Sequence, residues 1–201
     1  MFGKKELSLN DIFDEIWTML ERGAARFNDP LHAPVLGTAT ETGCSLRMVI
    51  LRDVDKSSRT LVCHTDGRAA KKAEIGLSPA VSWLFYHPKH QIQVRMTGPA
   101  KLHSQDVFAD QQWEKTGLTS RINYLAQLPP GTPVAEPTSG LPDFLRNKVP
   151  ALARSQKGRK NFMAIACRID TIDWLILKKL GNLRARFTWQ GESWQSSWLV
   201  P

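Results

Sequence analysis

The chain has 201 residues, 42% of them hydrophobic, and its 27 basic against 19 acidic residues leave a net charge of +8. That is enough for one good core, and the excess of cations favours an anionic partner (a phosphorylated small molecule, nucleic acid or an acidic membrane surface) without choosing among them. Cys44, Cys63 and Cys167 are far apart and form no C-x-x-C, the N-terminal stretch has no apolar signal core, and no window approaches a membrane span. A disulfide framework or zinc cluster is therefore not expected, no membrane is involved, and a reducing cytoplasm is the expected location.

In chain order, Ser8 and Asp11 form a helix-start pair, and Ile12, Ile16, Met19 and Leu20 recur at helical spacing. Residues 1–28 are thus expected to hold a helix from about residue 9 to Arg26, stopped by Phe27-Asn28-Asp29-Pro30. Short β-type runs follow at 35–40, 46–54 and 60–65, then a helix at 69–77 and two more β runs at 80–87 and 91–103. The connections DKSSR and HPK are short, which favours antiparallel neighbours. Within SLRMVILRDVD (45–55), alternation puts Arg47, Val49 and Leu51 on one face and Met48, Ile50 and Arg52 on the other. An arginine on each face of an apolar strand is costly unless each finds a partner or reaches water. In 80–87, Val81, Trp83 and Phe85 are apolar residues that something must cover, and Gly98-Pro99 predicts a bulge or bend at a sheet edge or barrel corner.

Residues 104–160 read as a helical and loop insertion. Two helical stretches, QDVFADQQWEK and SRINYLAQL, precede 128–144, which holds five of the twelve prolines and is expected to lack regular structure. A further helix is expected within 142–156, and the chain closes with FMAIACRIDTIDWLILKK (162–179), LRARFTW (183–189) and SWQSSWLVP (193–201). About six hairpin-connected strands with peripheral helices indicate a single α+β domain over 1–201, built around a small antiparallel barrel.

Several stretches are candidates for chemistry. HTDGRAAKKAEI (64–75) follows a strand and opens a helix. Free backbone N–H groups there, with Arg68, Lys71 and Arg47 from the neighbouring strand, would suit a phosphate. The blander alternative is a polar turn with a solvated basic helix face. No Walker or G-x-G-x-x-G pattern is present. His87 and His90 lack a third ligand and read as surface turn residues, so no metal is expected. Asp170 and Asp173 read as alternating exposed strand residues rather than an acid/base pair, and no nucleophile elbow appears. The stretch 146–160 has six Lys or Arg, no acid and no aromatic residue. Solvated surface is its ordinary reading, with nucleic-acid binding as the alternative.

Taken together, the ordered motifs R-x-V-I-L-R (47–52), H-T-D-x-R-A-x-K (64–71), Q-V-R-M-x-G-x-A (93–100) and R-A-R-F (184–187), with the W-L-V-P tail, resemble the pyridoxamine 5'-phosphate oxidase-like, FMN-binding split-barrel family. The resemblance implies a split β-barrel, bound FMN, and a homodimer with sites shared between protomers. By it, Arg47 contacts the flavin phosphate, and Met48, Val49, Ile50 and Arg52 line the ring. His64, Thr65, Arg68 and Lys71 hold the cofactor, Gln93 reaches the ring from the opposing protomer, and Arg186 lies near it. Two or more fixed cations suit a dianionic phosphate. Positions for a small anionic substrate fall at Arg52, Lys115, Thr119 and Arg184.

The chain also departs from that pattern. Ala69-Ala70-Lys71 stands where the family has S-x-K, Arg52 replaces a lysine, and Asn182 and Arg184 replace an R-x-H pair. Trp174 is the nearest match to a displaced tryptophan. The implied activity is flavin-dependent oxidation or reduction of a small molecule by something other than an efficient pyridoxamine 5'-phosphate oxidase, and no residue is assigned as general base. A flavin- or haem-binding sensor or carrier without turnover is the alternative from another class, and a deazaflavin could stand in for FMN.

Overall fold

In this computed structural model, which describes residues 7–201, the first helix starts where Ser8 predicts. The Ser8 hydroxyl accepts the Asp11 N–H at 3.1 Å, and α1 runs Leu9–Ala25 with Ile12, Ile16, Trp17, Met19 and Leu20 on its buried side. That side closes one end of a barrel, against Leu36, Leu51, Cys63, Trp83, Met96 and Cys167.

The barrel is built from short strands that change partners. A hairpin of β1 (Val35–Thr40) and β2 (Gly43–Met48) comes first. At Val49-Ile50 the chain leaves this ladder, although the N–H groups of Val49 and Leu51 still donate to the Pro34 and His32 carbonyls at 2.9 Å. β3 (Leu51–Asp55) then pairs with β4 (Thr60–Asp66). The single strand expected over 46–54 is therefore two strands meeting at a corner. β5 (Ala80–His87) pairs with β1 and with the long β6 (Ile92–His103). The C-terminal part of β6 pairs with β7 (Phe162–Arg168), and β7 pairs with β4, which closes the circuit.

The N-terminal part of β6 instead pairs with β8 (Thr171–Ile176), followed by β9 (Leu183–Trp189) and β10 (Trp194–Leu199). Gly98 marks the point where β6 changes neighbours, since a Cβ there would overlap the backbone carbonyl of Arg168. The expected barrel corner at Gly98-Pro99 is present. Among the described residues, ten strands replace the six or so expected, because the runs at 46–54 and 162–179 each split and the last hairpin adds two. The class is as expected: α+β, an antiparallel split barrel with peripheral helices.

Between β4 and β5 lies α2 (Lys71–Leu77), and after β6 come α3 (Val107–Lys115) and the single turn α4 (Leu118–Arg121). Asp106 caps α3 by accepting the Ala109 N–H at 2.9 Å. Under these helices Val62, Trp113, Tyr124, Phe162 and Ala164 form a second apolar cluster. Buried Arg121 holds it together, with its guanidinium 4.5 Å from the Trp113 ring centroid and donating to the Trp113 carbonyl at 2.7 Å.

Residues 128–144 carry only the start of one 3₁₀ turn, at Asp143–Leu145. The helix expected within 142–156 shrinks to that turn and α5 (Leu152–Ser155), because Pro150 cannot continue a helix and Asn147 takes φ 55°. Val81, Trp83 and Phe85 need no outside cover, being buried in this chain's own core; it is the alternate residues Ser82, Leu84 and Tyr86 that face outward. Among the described residues, no helix is long and apolar enough to cross a membrane.

Candidate functional site

Three groups of polar side chains are built by this frame. The first sits on the inner side of the β1–β2 hairpin, at the barrel's edge. Arg47 donates to Thr38, to the Ser45 hydroxyl at 2.6 Å and to the Glu74 carboxylate at 2.6 Å. Lys71, at the start of α2, donates to the Thr65 hydroxyl at 2.9 Å. Burial lowers the pKa of the Lys71 ammonium and the nearby positive charge of Arg47 lowers it further, so the two cations share one neighbourhood. Burial raises the pKa of Glu74, but hydrogen bonds from Thr38 and Arg47 outweigh it and leave the carboxyl more acidic than usual.

The turn between β4 and α2 does less than its glycine and small residues suggest. The N–H groups of Gly67, Arg68 and Ala69 are taken by the Asn161 carbonyl, the Asp66 carboxylate and the Asp66 carbonyl. An anion at this place is left to the side chains of Arg47 and Lys71. Arg68 does not join them. It is paired with Asp66 at 2.7 Å and also donates to the Ala126 carbonyl at 3.0 Å, on the other side of β4.

The second group lies on that other side, between β3, β4 and the insertion. His64 contacts the Gln112 side-chain oxygen at 3.1 Å and the Thr116 hydroxyl at 3.4 Å. Burial pushes the His64 pKa down to about 4, outweighing the hydrogen bond to Gln112, so the ring is neutral at pH 7. Arg52 donates to the Ser120 hydroxyl at 3.4 Å, and its buried Nε has no hydrogen-bond partner among the described residues.

Gln112, Thr116 and Ser120, spaced four apart, are therefore the residues the insertion presents to Arg52 and His64. The expected positions Lys115 and Thr119 each lie one residue before a member of this row. Lys115 points outward to Asp53 at 2.8 Å, and Thr119 is exposed. The signal that could have found the phase is the buried pair Ala109 and Trp113, which sets which side of α3 faces in.

The third group occupies the outward face of the sheet. Register sets Gln93 beside Leu175, Arg95 beside Asp173, and Asp173 beside Arg186. Asp173 receives Arg184 at 2.8 Å, Arg186 at 3.0 Å and Arg95 at 3.1 Å. Burial raises its pKa, but hydrogen bonds from Arg184, Arg186 and Arg95 outweigh this and hold it at about 2. Asp173 is thus buried and triply paired rather than exposed, while Asp170 is paired with Arg59 at 3.0 Å. Around this cluster Leu46 and Met48 are about two-thirds exposed, at 67% and 66%, and Leu84 and Tyr86 are also uncovered. Val49 is buried and Ile50 half-buried, so Met48 stands apart from the residues that follow it.

Of the sequence-predicted site residues, the fold brings Arg47, Thr65 and Lys71 together on one side. It brings Arg52 and His64 together on a second, and Gln93, Arg184 and Arg186 onto a third. Asn182 accepts the Lys178 N–H at 3.0 Å and closes its turn. His87 is buried at the end of β5, its Nδ1 accepting the His90 N–H at 3.4 Å, and is not the surface residue expected.

Residues 16–104 match the family model described as pyridoxamine 5'-phosphate oxidase, FMN-binding domain. No curated protein matches. Among solved structures, the chain is similar to a pyridoxamine 5'-phosphate oxidase-related, FMN-binding protein from Nostoc punctiforme PCC 73102. The identity is 20%, the TM-score 0.71, and 98% of this chain and 99% of that one are covered. It is also similar to PhzG from Burkholderia lata 383, in complex with tetrahydrophenazine-1-carboxylic acid. Here the identity is 18%, the TM-score 0.72, and coverage 100% of this chain and 98% of that one. A protein related to general stress protein 26 from Clostridium acetobutylicum aligns at 9% identity and TM-score 0.54 over 87% of this chain and 93% of that one. At these identities the likeness is one of fold.

Proposed function

From the match of residues 16–104 to the pyridoxamine 5'-phosphate oxidase, FMN-binding domain model, we propose that the chain binds FMN in a site shared by two copies and uses it to oxidise or reduce a small anionic molecule. The observation that carries this is the convergence of Arg47 and Lys71, two half-buried cations beside the hydroxyls of Thr38, Ser45 and Thr65. A phosphate dianion suits that donor set, since charge-assisted hydrogen bonds from fixed cations are the strong ones.

Gln93 and Arg186 face the opposite side of the same sheet, together with exposed Leu46, Met48, Leu84 and Tyr86. A second copy laid on that face would cover the apolar residues and bring Gln93 and Arg186 to the partner's Arg47 side. The flavin ring would supply hydride or electron transfer at N5. Arg52, neutral His64, Gln112, Thr116 and Ser120 would bind and orient the anionic end of the substrate, with Asp173 fixing Arg184 and Arg186.

Protein as purified should release FMN on denaturation and scatter light as twice 22.6 kDa. A colourless chain that also fails to take up added FMN would end the cofactor proposal, and a monomer at micromolar concentration would end the shared site. Bound flavin that no small-molecule donor reduces would leave a carrier or sensor in place of an oxidoreductase.

A further inference from the structure

The six cations of 146–160 have different fates in the fold. Arg146 pairs with Asp143 at 3.0 Å and Arg159 with Asp110 at 2.6 Å. Arg154, Lys157 and Lys160 instead line one cavity of about 550 Å³ together with Arg68, and no carboxylate lines it. Among the described residues these three make no ion pair, whereas Arg68 is fixed by Asp66 and by the Ala126 carbonyl. The walls are neutral: Leu125, Pro142, Leu145 and the exposed ring of Phe144. The Arg154 guanidinium lies 4.5 Å from the Phe144 ring centroid, making a flat cationic platform beside the opening. Asn161 holds the floor by donating to the Tyr124 carbonyl at 2.9 Å while its own carbonyl accepts the Gly67 N–H at 2.7 Å.

We propose that this cavity is a second ligand site, separate from the flavin site, and that it takes a phosphorylated small molecule carrying a flat aromatic ring, of the mononucleotide class. Its volume falls in the range of small-molecule pockets. Three cations without an ion pair, around a concavity that no carboxylate lines, focus a positive potential where a phosphate would sit. The Phe144–Arg154 platform offers one stacking surface, which matches one ring rather than a row of bases. Arg47, Arg52 and Lys71 do not line the cavity, so occupation of one site leaves the other open. Of the six cations in the basic stretch that suggested nucleic acid, two are thus ion-paired and three line one side of a pocket.

The test is a calorimetric titration of the full chain, as purified, with AMP. One AMP per chain is expected, with flavin content unchanged. Arg154→Glu with Lys157→Glu should weaken binding at least tenfold, and Phe144→Ala at least threefold, all three positions being exposed. Inorganic phosphate alone should bind at least tenfold more weakly than AMP. The proposal is overturned if AMP does not bind at millimolar concentration, or if neither variant changes its affinity. Release of flavin in step with AMP uptake would place the nucleotide in the flavin site. A single-stranded oligonucleotide that binds more tightly than AMP through the same residues would make the cavity part of a nucleic-acid surface, and would overturn it equally.

Discussion

Replacing Arg47 by alanine separates the phosphate from the rest of the flavin. The guanidinium is held by Thr38, Ser45 and Glu74, with its side chain 21% exposed and that of Glu74 16% exposed. A hydrogen bond to a charged group contributes about 1.5–3 kcal/mol, and its loss corresponds to roughly 10- to 150-fold in Kd. The upper part of that range is expected here, for a reason specific to this site. Removing Arg47 leaves the Glu74 carboxylate without its cation, close to where the phosphate would lie, and repulsion adds to the lost attraction. Glu74→Gln in the Arg47→Ala background should then recover about 1 kcal/mol, the scale on which groups in one network couple. Fluorescence titration of flavin-free protein reads both effects, with riboflavin as the control because it lacks the phosphate. FMN binding should fall by about 100-fold, and riboflavin binding should barely move. Equal losses for FMN and riboflavin would show that Arg47 only supports the hairpin, and no loss for either would put the phosphate elsewhere.

Burial pushes the thiols of Cys63 and Cys167 up to about 12, while Cys44 is exposed, so a thiol reagent should label one cysteine per native chain and all three after unfolding. More than one label on the folded protein would contradict the packing of the barrel. His64 has a folded pKa of about 4 against an ordinary value of 6.5, so the unfolded state binds more protons between those values. The stability this group contributes is therefore complete above about pH 6.5 and is lost as pH falls to about 4, and His64→Gln should flatten denaturant midpoints across that window. Flavin-loaded protein should form pyridoxal phosphate from pyridoxamine 5'-phosphate far below the usual enzyme range of about 1–10³ per second, because Asn182 closes a turn and Arg184 is held by Asp173. Turnover within that range would show that neither residue matters to substrate choice.

Much of the fold was legible because the periodicities were clean. Alternation in AVSWLFYH and helical spacing from Leu9 survive folding unchanged, and Gly98-Pro99 marks the corner it suggested. Strand number was not legible, because a chain that turns a barrel corner keeps its apolar alternation while changing partners, as it does at Val49-Ile50. The environment of Asp173 was hidden for a different reason. Its three arginine partners come from β6 and β9, and only the register of β8 between them shows that one carboxylate serves three cations. The phase of α3 falls between these cases. Ala109 and Trp113 specify it, but only if they are recognised as its core side ahead of the charged residues around them.

The arginines at 47 and 52 connect these levels. On one continuous strand they would leave a charge on each face of an apolar layer, at a cost that neither face could offset alone. The break at Val49-Ile50 assigns them to different ladders, Arg47 to β2 under α2 and Arg52 to β3 under the insertion. Each then meets polar groups that its own ladder brings close: Thr38 and Ser45 from the hairpin with Glu74 from α2, and Ser120 beyond α3 beside His64. The corner that closes the barrel is therefore also what makes two cationic groups from one stretch of sequence, the first with Lys71 nearby and the second beside His64 and Ser120. In the proposed function a cofactor spanning 47–52 would touch both, and a run that is costly as a plain strand would then serve as the floor of a flavin site.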